Sequence, residues 1–145
     1  MKSWDVILAW QCFFTFMLTG VIWCLQAFVY PALSWIDIDR FQEFEKKYEK
    51  RMVWIKTPLM SLECLFAILL LRVAPSGAFN VISFILFGIL LLIWLSTFCF
   101  QMPEHAALLK EFNEKRLKKL IFTNWIRTIG WTLRSLLLMW LLMRP

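Results

Sequence analysis

A chain with one histidine, no CxxC pair and no glycine-rich loop has few routes to the commoner enzyme chemistries. The single His105 excludes haem held by two imidazoles, and it excludes any multi-histidine metal centre. Glu63 and His105 alone are a weak metal signal, so no metal site is expected. No Walker loop, GxGxxG, serine elbow or HExxH occurs, which removes nucleotide-driven and zinc-protease chemistry, and the sequence names no cofactor. Cys12, Cys24, Cys64 and Cys99 fall singly within apolar segments, as small buried hydrophobes do, and offer no redox pair. Acidic residues are outnumbered sixteen to ten, giving a net charge of +6. The excess clusters in two connecting segments, which makes it a topology signal and gives no support to a nucleic-acid partner. No internal repeat, low-complexity tract or long linker divides residues 1–145, so one domain is expected.

What is present is apolar: 61% of the 145 residues are hydrophobic, with nine Trp and fourteen Phe, a composition foreign to a soluble domain of this size. Four runs, at about 6–33, 52–73, 79–100 and 120–143, reach the roughly 20 residues that cross a hydrocarbon core. The first is too long for a signal-peptide core and lacks a small-residue cleavage pattern, so it reads as a retained span. The expected fold is all-α, a four-transmembrane-helix antiparallel bundle with amphipathic interfacial helices in its connections. In the first connection Asp39 is placed to cap a helix, and Phe41, Phe44 and Tyr48 recur at helical spacing, predicting an amphipathic helix on the membrane surface. Pro58 then kinks the second span or marks its first turn. The turn APSGA at 74–78 forces an antiparallel pair, and PEHAALLKEFNEKRLKK predicts a short helix from Pro103, a stop at Asn113 and a fresh basic helix.

Lysine and arginine are distributed unevenly between the two sides. Arg40, Lys46, Lys47, Lys50, Arg51 and Lys56 flank the first connection, and Lys110, Lys115, Arg116, Lys118 and Lys119 the third, against Lys2, Arg72 and Arg144 opposite. The positive-inside rule therefore places both long connections in the cytoplasm and both termini outside, periplasmic in a bacterial inner membrane. The basic runs KKYEKR and EKRLKK suit contacts with anionic lipids.

Against that background the charges in the fourth span need a reason, since an arginine at mid-membrane costs about 2.5 to 3.5 kcal/mol on translocon scales. Asn124, Arg127, Thr128, Trp131, Arg134 and Ser135 share one helical face. Polar groups on the other spans gather toward the same cytoplasmic half. The first span carries Gln26 and Tyr30, one turn apart, with Gln11, Thr15 and Thr19 above them. The second carries Lys56, Thr57 and Glu63, and the third Trp94, Thr97, Gln101 and then His105. Arg127 is the favoured partner of Glu63, with Arg134, deeper and of more structural character, as the competitor. Gln26, Asn124, Arg127 and Arg134 are the candidate ligand-binding residues. Tyr30, His105 and Glu63 are the candidates for proton transfer and charge balance. The blander reading makes these groups interhelical glue worth about 0.6 to 2 kcal/mol each, with Tyr30 an interface anchor and His105 a hydrogen-bonding residue. A clamp needs two or three such groups, and this half-bundle holds at least seven.

The motifs Gln-x-x-x-Tyr-Pro at Gln26–Pro31, Pro-x-Met-x-x-Glu at Pro58–Glu63, Pro-x-His-x-x-Leu at Pro103–Leu108 and Asn-Trp-x-Arg-Thr-x-x-Trp-x-x-Arg at Asn124–Arg134 cover most of the chain. In these it resembles a group of small, uncharacterised four-span bacterial inner-membrane proteins. In length and architecture it is more loosely similar to the anthrone oxygenase-like membrane proteins. Many members of the group carry histidine at the position of Tyr48, and often one near Val29, and this chain has neither. The resemblance implies a four-helix bundle with a polar intramembrane site and supplies no substrate. The functional expectation is binding or conversion of a lipophilic small molecule, such as a lipid, quinone or aromatic carbonyl compound, with Arg127 and Asn124 on its polar head. The alternative is a non-catalytic accessory subunit of a larger membrane complex. A proton-coupled transporter using Glu63 ranks behind both, because no broken helix pair or inverted repeat is present.

Overall fold

Four long helices, and no strand, make up residues 3–144, the part of the chain that the computed structural model describes. Lys2, counted above among the sparse outer charges, lies outside the described residues. Helix α1 is Ser3–Leu33, α2 Ile38–Val73, α3 Ala78–Leu108 and α4 Glu114–Leu142.

Helices α1 and α3 each pass through one π turn, and each π turn is followed after one residue by a proline. Pro31 has no N–H to offer the carbonyl of Ala27, and its ring crowds that carbonyl. Across Leu25–Val29 the helix widens, and the Tyr30 N–H donates to the carbonyl of Leu25 instead. Pro103 does the same to Thr97–Gln101, where the Met102 N–H donates to the carbonyl of Thr97. Wide turns of this kind recur at functional positions because they re-aim the side chains beyond them. Here Tyr30 and His105 are the residues beyond.

Helix α2 departs from expectation. The first connection holds no separate surface helix: the amphipathic segment and the second span are one uninterrupted helix of 36 residues. At 1.5 Å per residue it is about 54 Å long, against a hydrocarbon thickness of about 30 Å. Nothing in KKYEKRMVWIK breaks a helix, so the segment simply continues. Pro58 sits in the interior, and the helix starts after Asp37, two residues before the expected cap at Asp39. The first turns of α2 are held by packing: Phe41 is fully buried and meets Phe112 edge-on at 4.7 Å. The α2–α3 turn uses Gly77 at φ 86°, a conformation that only glycine adopts without strain. No separate helix starts at Pro103, since α3 runs through its π turn to Leu108. Asn113 does start a new helix, its side chain accepting from the N–H groups of Lys115 and Arg116 at 3.0 and 3.2 Å.

Contacts set the arrangement. Helix α1 packs on α2 and α4, and α3 closes the ring against α4 and α2. Residue pairs run in opposite senses along each neighbour: Thr19 with Ser135 but Gln26 with Asn124, and Leu86 with Arg134 but Ile93 with Gly130. All four helices are therefore antiparallel to the helices beside them. Gly130 is a point of close approach, where an added Cβ would stand 2.7 Å from Cγ1 of Ile93. The outer face is apolar, with Phe28, Leu92 and Leu136 each more than 60% exposed. Three helices, α1, α2 and α3, are long and apolar enough to cross a membrane. Helix α4 misses that description because Arg127 and Arg134 interrupt its apolar stretch, and both are buried inside the bundle.

Candidate functional site

The polar residues divide into two clusters. The deeper one is centred on Glu63, which is fully buried and ion-paired with the fully buried Arg134. The favoured Glu63–Arg127 pair is thus corrected: Arg134 is the partner. The reason is register. Arg134 lies two turns beyond Arg127, about 10 Å along α4, and Glu63 is level with it. Gln11 Nε2 and Thr15 Oγ1 of α1 donate to the same Glu63 oxygen at 2.6 and 3.2 Å, and Arg134 also donates to the carbonyl of Leu86 in α3. One carboxylate and one guanidinium therefore tie all four helices. Thr19 and Ser135, 2.7 Å apart, extend the seam between α1 and α4.

The second cluster surrounds Arg127. Gln26, inside the first π turn, donates to the carbonyl of Ile121 at 3.3 Å and accepts from Asn124 Nδ2 at 2.7 Å. Asn124 in turn accepts from Arg127 Nη1 at 3.3 Å. Gln26 and Asn124 thus position the guanidinium, while Arg127 itself faces a cavity of about 330 Å³ between α2, α3 and α4. The walls are largely apolar, from Val53, Met60, Phe98 and Met102. The polar lining comes from Glu49, Lys56, Trp94, Gln101, His105 and Arg127, with the hydroxyl residues Thr57, Ser61 and Thr97.

Three buried donors there have no protein partner: Trp94 Nε1, Gln101 Nε2 and Arg127 Nε. Among the described residues no carboxylate pairs with Arg127. An unmatched buried donor costs about 1 to 3 kcal/mol, and the three residues that carry these donors line the same cavity.

Beside the cavity, Tyr30 is fully buried with its hydroxyl 3.5 Å from His105 Nε2. The other face of the ring meets acids: His105 Nδ1 lies 2.5 Å from Glu45 Oε1 and 3.3 Å from Glu49 Oε1. Which nitrogen carries the proton follows from the partners: with carboxylates at Nδ1, that nitrogen donates and Nε2 accepts from Tyr30. Tyr48 lies close by, its ring tilted by 31° against that of His105 with centroids 6.2 Å apart.

Of the residues singled out in the sequence, Gln26, Tyr30, His105, Asn124 and Arg127 thus come together, and Glu63 and Arg134 form the other cluster. Glu45 and Glu49 carried no expectation of a place in the site, while Lys56, Trp94 and Gln101 were expected among the polar groups at that depth but were assigned no role. The first two belong to a segment read as a solvated surface helix. A signal was present, since Phe41, Glu45 and Tyr48 fall at i, i+4 and i+7, one face with a carboxylate in the middle of it. No family model matches the chain, and neither a curated protein nor a solved structure matches it.

Proposed function

We propose that this is a four-span inner-membrane protein that binds an amphiphile whose head group is anionic or carbonyl-bearing. The observation that carries the reading is the pair of cationic residues Lys56 and Arg127 on the wall of a mainly apolar cavity of about 330 Å³, where Trp94, Gln101 and Arg127 each also keep a buried donor without a protein partner. Cationic and donor-bearing residues on the wall of an apolar space call for acceptors on an otherwise greasy molecule, and the volume lies within the usual range for small-molecule sites. Membrane insertion is supported by three apolar helices, an apolar outer face and inward-turned arginines. The lysine and arginine distribution supports cytoplasmic connections with periplasmic termini. In this reading Arg127 holds the head group, Gln26 and Asn124 orient Arg127, and Tyr30 with His105 is the pair available for proton transfer. Glu63 and Arg134 hold the helices.

The test uses oleate as the probe and thermal unfolding of the detergent-solubilised protein as the readout. Losing one hydrogen bond to a charged head costs about 1.5 kcal/mol or more. Trp94→Phe and Arg127→Gln should therefore each need roughly tenfold more oleate for the same protection. Unchanged protection in both variants, or equal protection by a long-chain amine, overturns the reading.

A further inference from the structure

The geometry points to a divalent transition-metal site formed by Glu45 and Glu49 of α2 and His105 of α3, at the edge of the cavity. A carboxylate oxygen from each glutamate and one imidazole nitrogen all lie within 4.8 Å of one another. Donor atoms in a tetrahedral shell about 2.1 Å from an ion stand about 3.4 Å apart. The His105 Nδ1 distances of 2.5 and 3.3 Å to Glu45 and Glu49 both fall short of that spacing, so the shell needs the ligands to part by under about 1 Å.

The charge arrangement points the same way. Glu45 and Glu49, one turn apart on one helix, aim carboxylates at the same ring nitrogen, which is unfavourable without a cation between them. No lysine or arginine pairs with either glutamate among the described residues, although Lys56 and Arg127 line the neighbouring cavity. Glu45 is fully buried, and its Oε2 has no hydrogen-bond partner. A carboxylate's two oxygens sit side by side, so an ion on Oε1 can also take Oε2. That is a second, independent sign of a missing positive centre, and a costly one for a buried anion.

With Nδ1 on the metal, His105 keeps its proton on Nε2 and donates to Tyr30, the outer hydrogen bond that ligating histidines use to fix their orientation. One imidazole and two carboxylates suit Zn²⁺, Mn²⁺, Fe²⁺ or Co²⁺ better than Ca²⁺ or Mg²⁺, which take oxygen alone. Glu49 and His105 also line the cavity, so a bound ion would present its open position there. The site stands whether or not the cavity takes an amphiphile, because its three ligands are not among the donors on which that reading rests.

The experiment titrates Co²⁺ into the full-length, chelator-treated protein in detergent, following the visible d–d bands, with Zn²⁺ uptake read by elemental analysis after desalting. The expected result is one equivalent per chain with nitrogen and oxygen ligation. Glu49→Gln and His105→Gln should each weaken uptake by about 100-fold, at the upper end of what losing an outer partner alone costs. Glu49 is partly exposed, so its variant keeps the fold, checked by helical circular dichroism. Glu63→Gln should bind the ion as the parent does. Substoichiometric uptake, uptake unaffected in both ligand variants, or an intense thiolate charge-transfer band placing Co²⁺ on a cysteine each overturns the assignment.

Discussion

Replacing Arg134 with methionine isolates the clamp at the centre of the bundle. The substitution removes the cation from a carboxylate with no exposed surface and frees the carbonyl of Leu86, leaving Glu63 with only Gln11 at 2.6 Å and Thr15 at 3.2 Å. Stranding one member of a buried pair costs about 3 to 5 kcal/mol. The two remaining hydrogen bonds offset a fraction of that, so a loss of about 3 kcal/mol is expected. Glu63→Gln strands the arginine instead, but the amide still accepts from it, and a loss of about 2 kcal/mol follows. In the double variant the clamp itself buries no charge, and its loss should fall below the sum of the singles by about 2 kcal/mol. The assay is reversible unfolding in mixed micelles, read by helical circular dichroism across the double-mutant cycle. Additive losses, or a single-variant loss under about 1 kcal/mol, would refute the clamp and reduce the pair to the ordinary interhelical bond of about 0.6 kcal/mol. Oleate protection should be unaltered in all three variants, because neither residue lines the cavity.

Asn113→Ala removes the acceptor for two N–H groups at the start of α4 and should cost about 1 kcal/mol. Limited proteolysis should then cut faster between residues 109 and 116, and an unchanged rate counts against the cap. Gly130→Ala should cost about 1 to 3 kcal/mol, because its Cβ would stand 2.7 Å from Ile93 Cγ1. Thermal unfolding checks this, and Ile93→Ala in the same chain should recover part of the loss.

How far the site could be read in advance follows from particular residues. The stripe Asn124, Arg127 and Arg134 was legible because helical period fixes a face, and a charge in an apolar helix must point inward. Tyr30 and His105 were legible as neighbours in depth, each lying within two residues of a proline near the end of a span. The partner of Glu63 was not, since Arg127 and Arg134 share one face and only the offset between α2 and α4 chooses between them. Glu45 and Glu49 were misplaced for another reason. A charged amphipathic segment looks the same whether its apolar face meets lipid headgroups or the connection after α3, and here Phe41 docks on Phe112. The π turns were hidden too: Pro31 and Pro103 announce a disturbed helix, but a break, a kink and a wide turn are equally available locally.

By itself, then, the sequence determined an all-helical chain of four long apolar runs and the existence of an inward polar stripe. Those follow from composition, period and charge, which act over a few residues. Only the tertiary structure decided that α2 runs on unbroken, that Arg134 takes Glu63, that Arg127 is left facing a cavity with unmatched donors, and that two glutamates meet His105. All but the first of these depend on the axial offset of one helix against another. That offset is set by packing such as Gly130 against Ile93, between residues far apart in the chain.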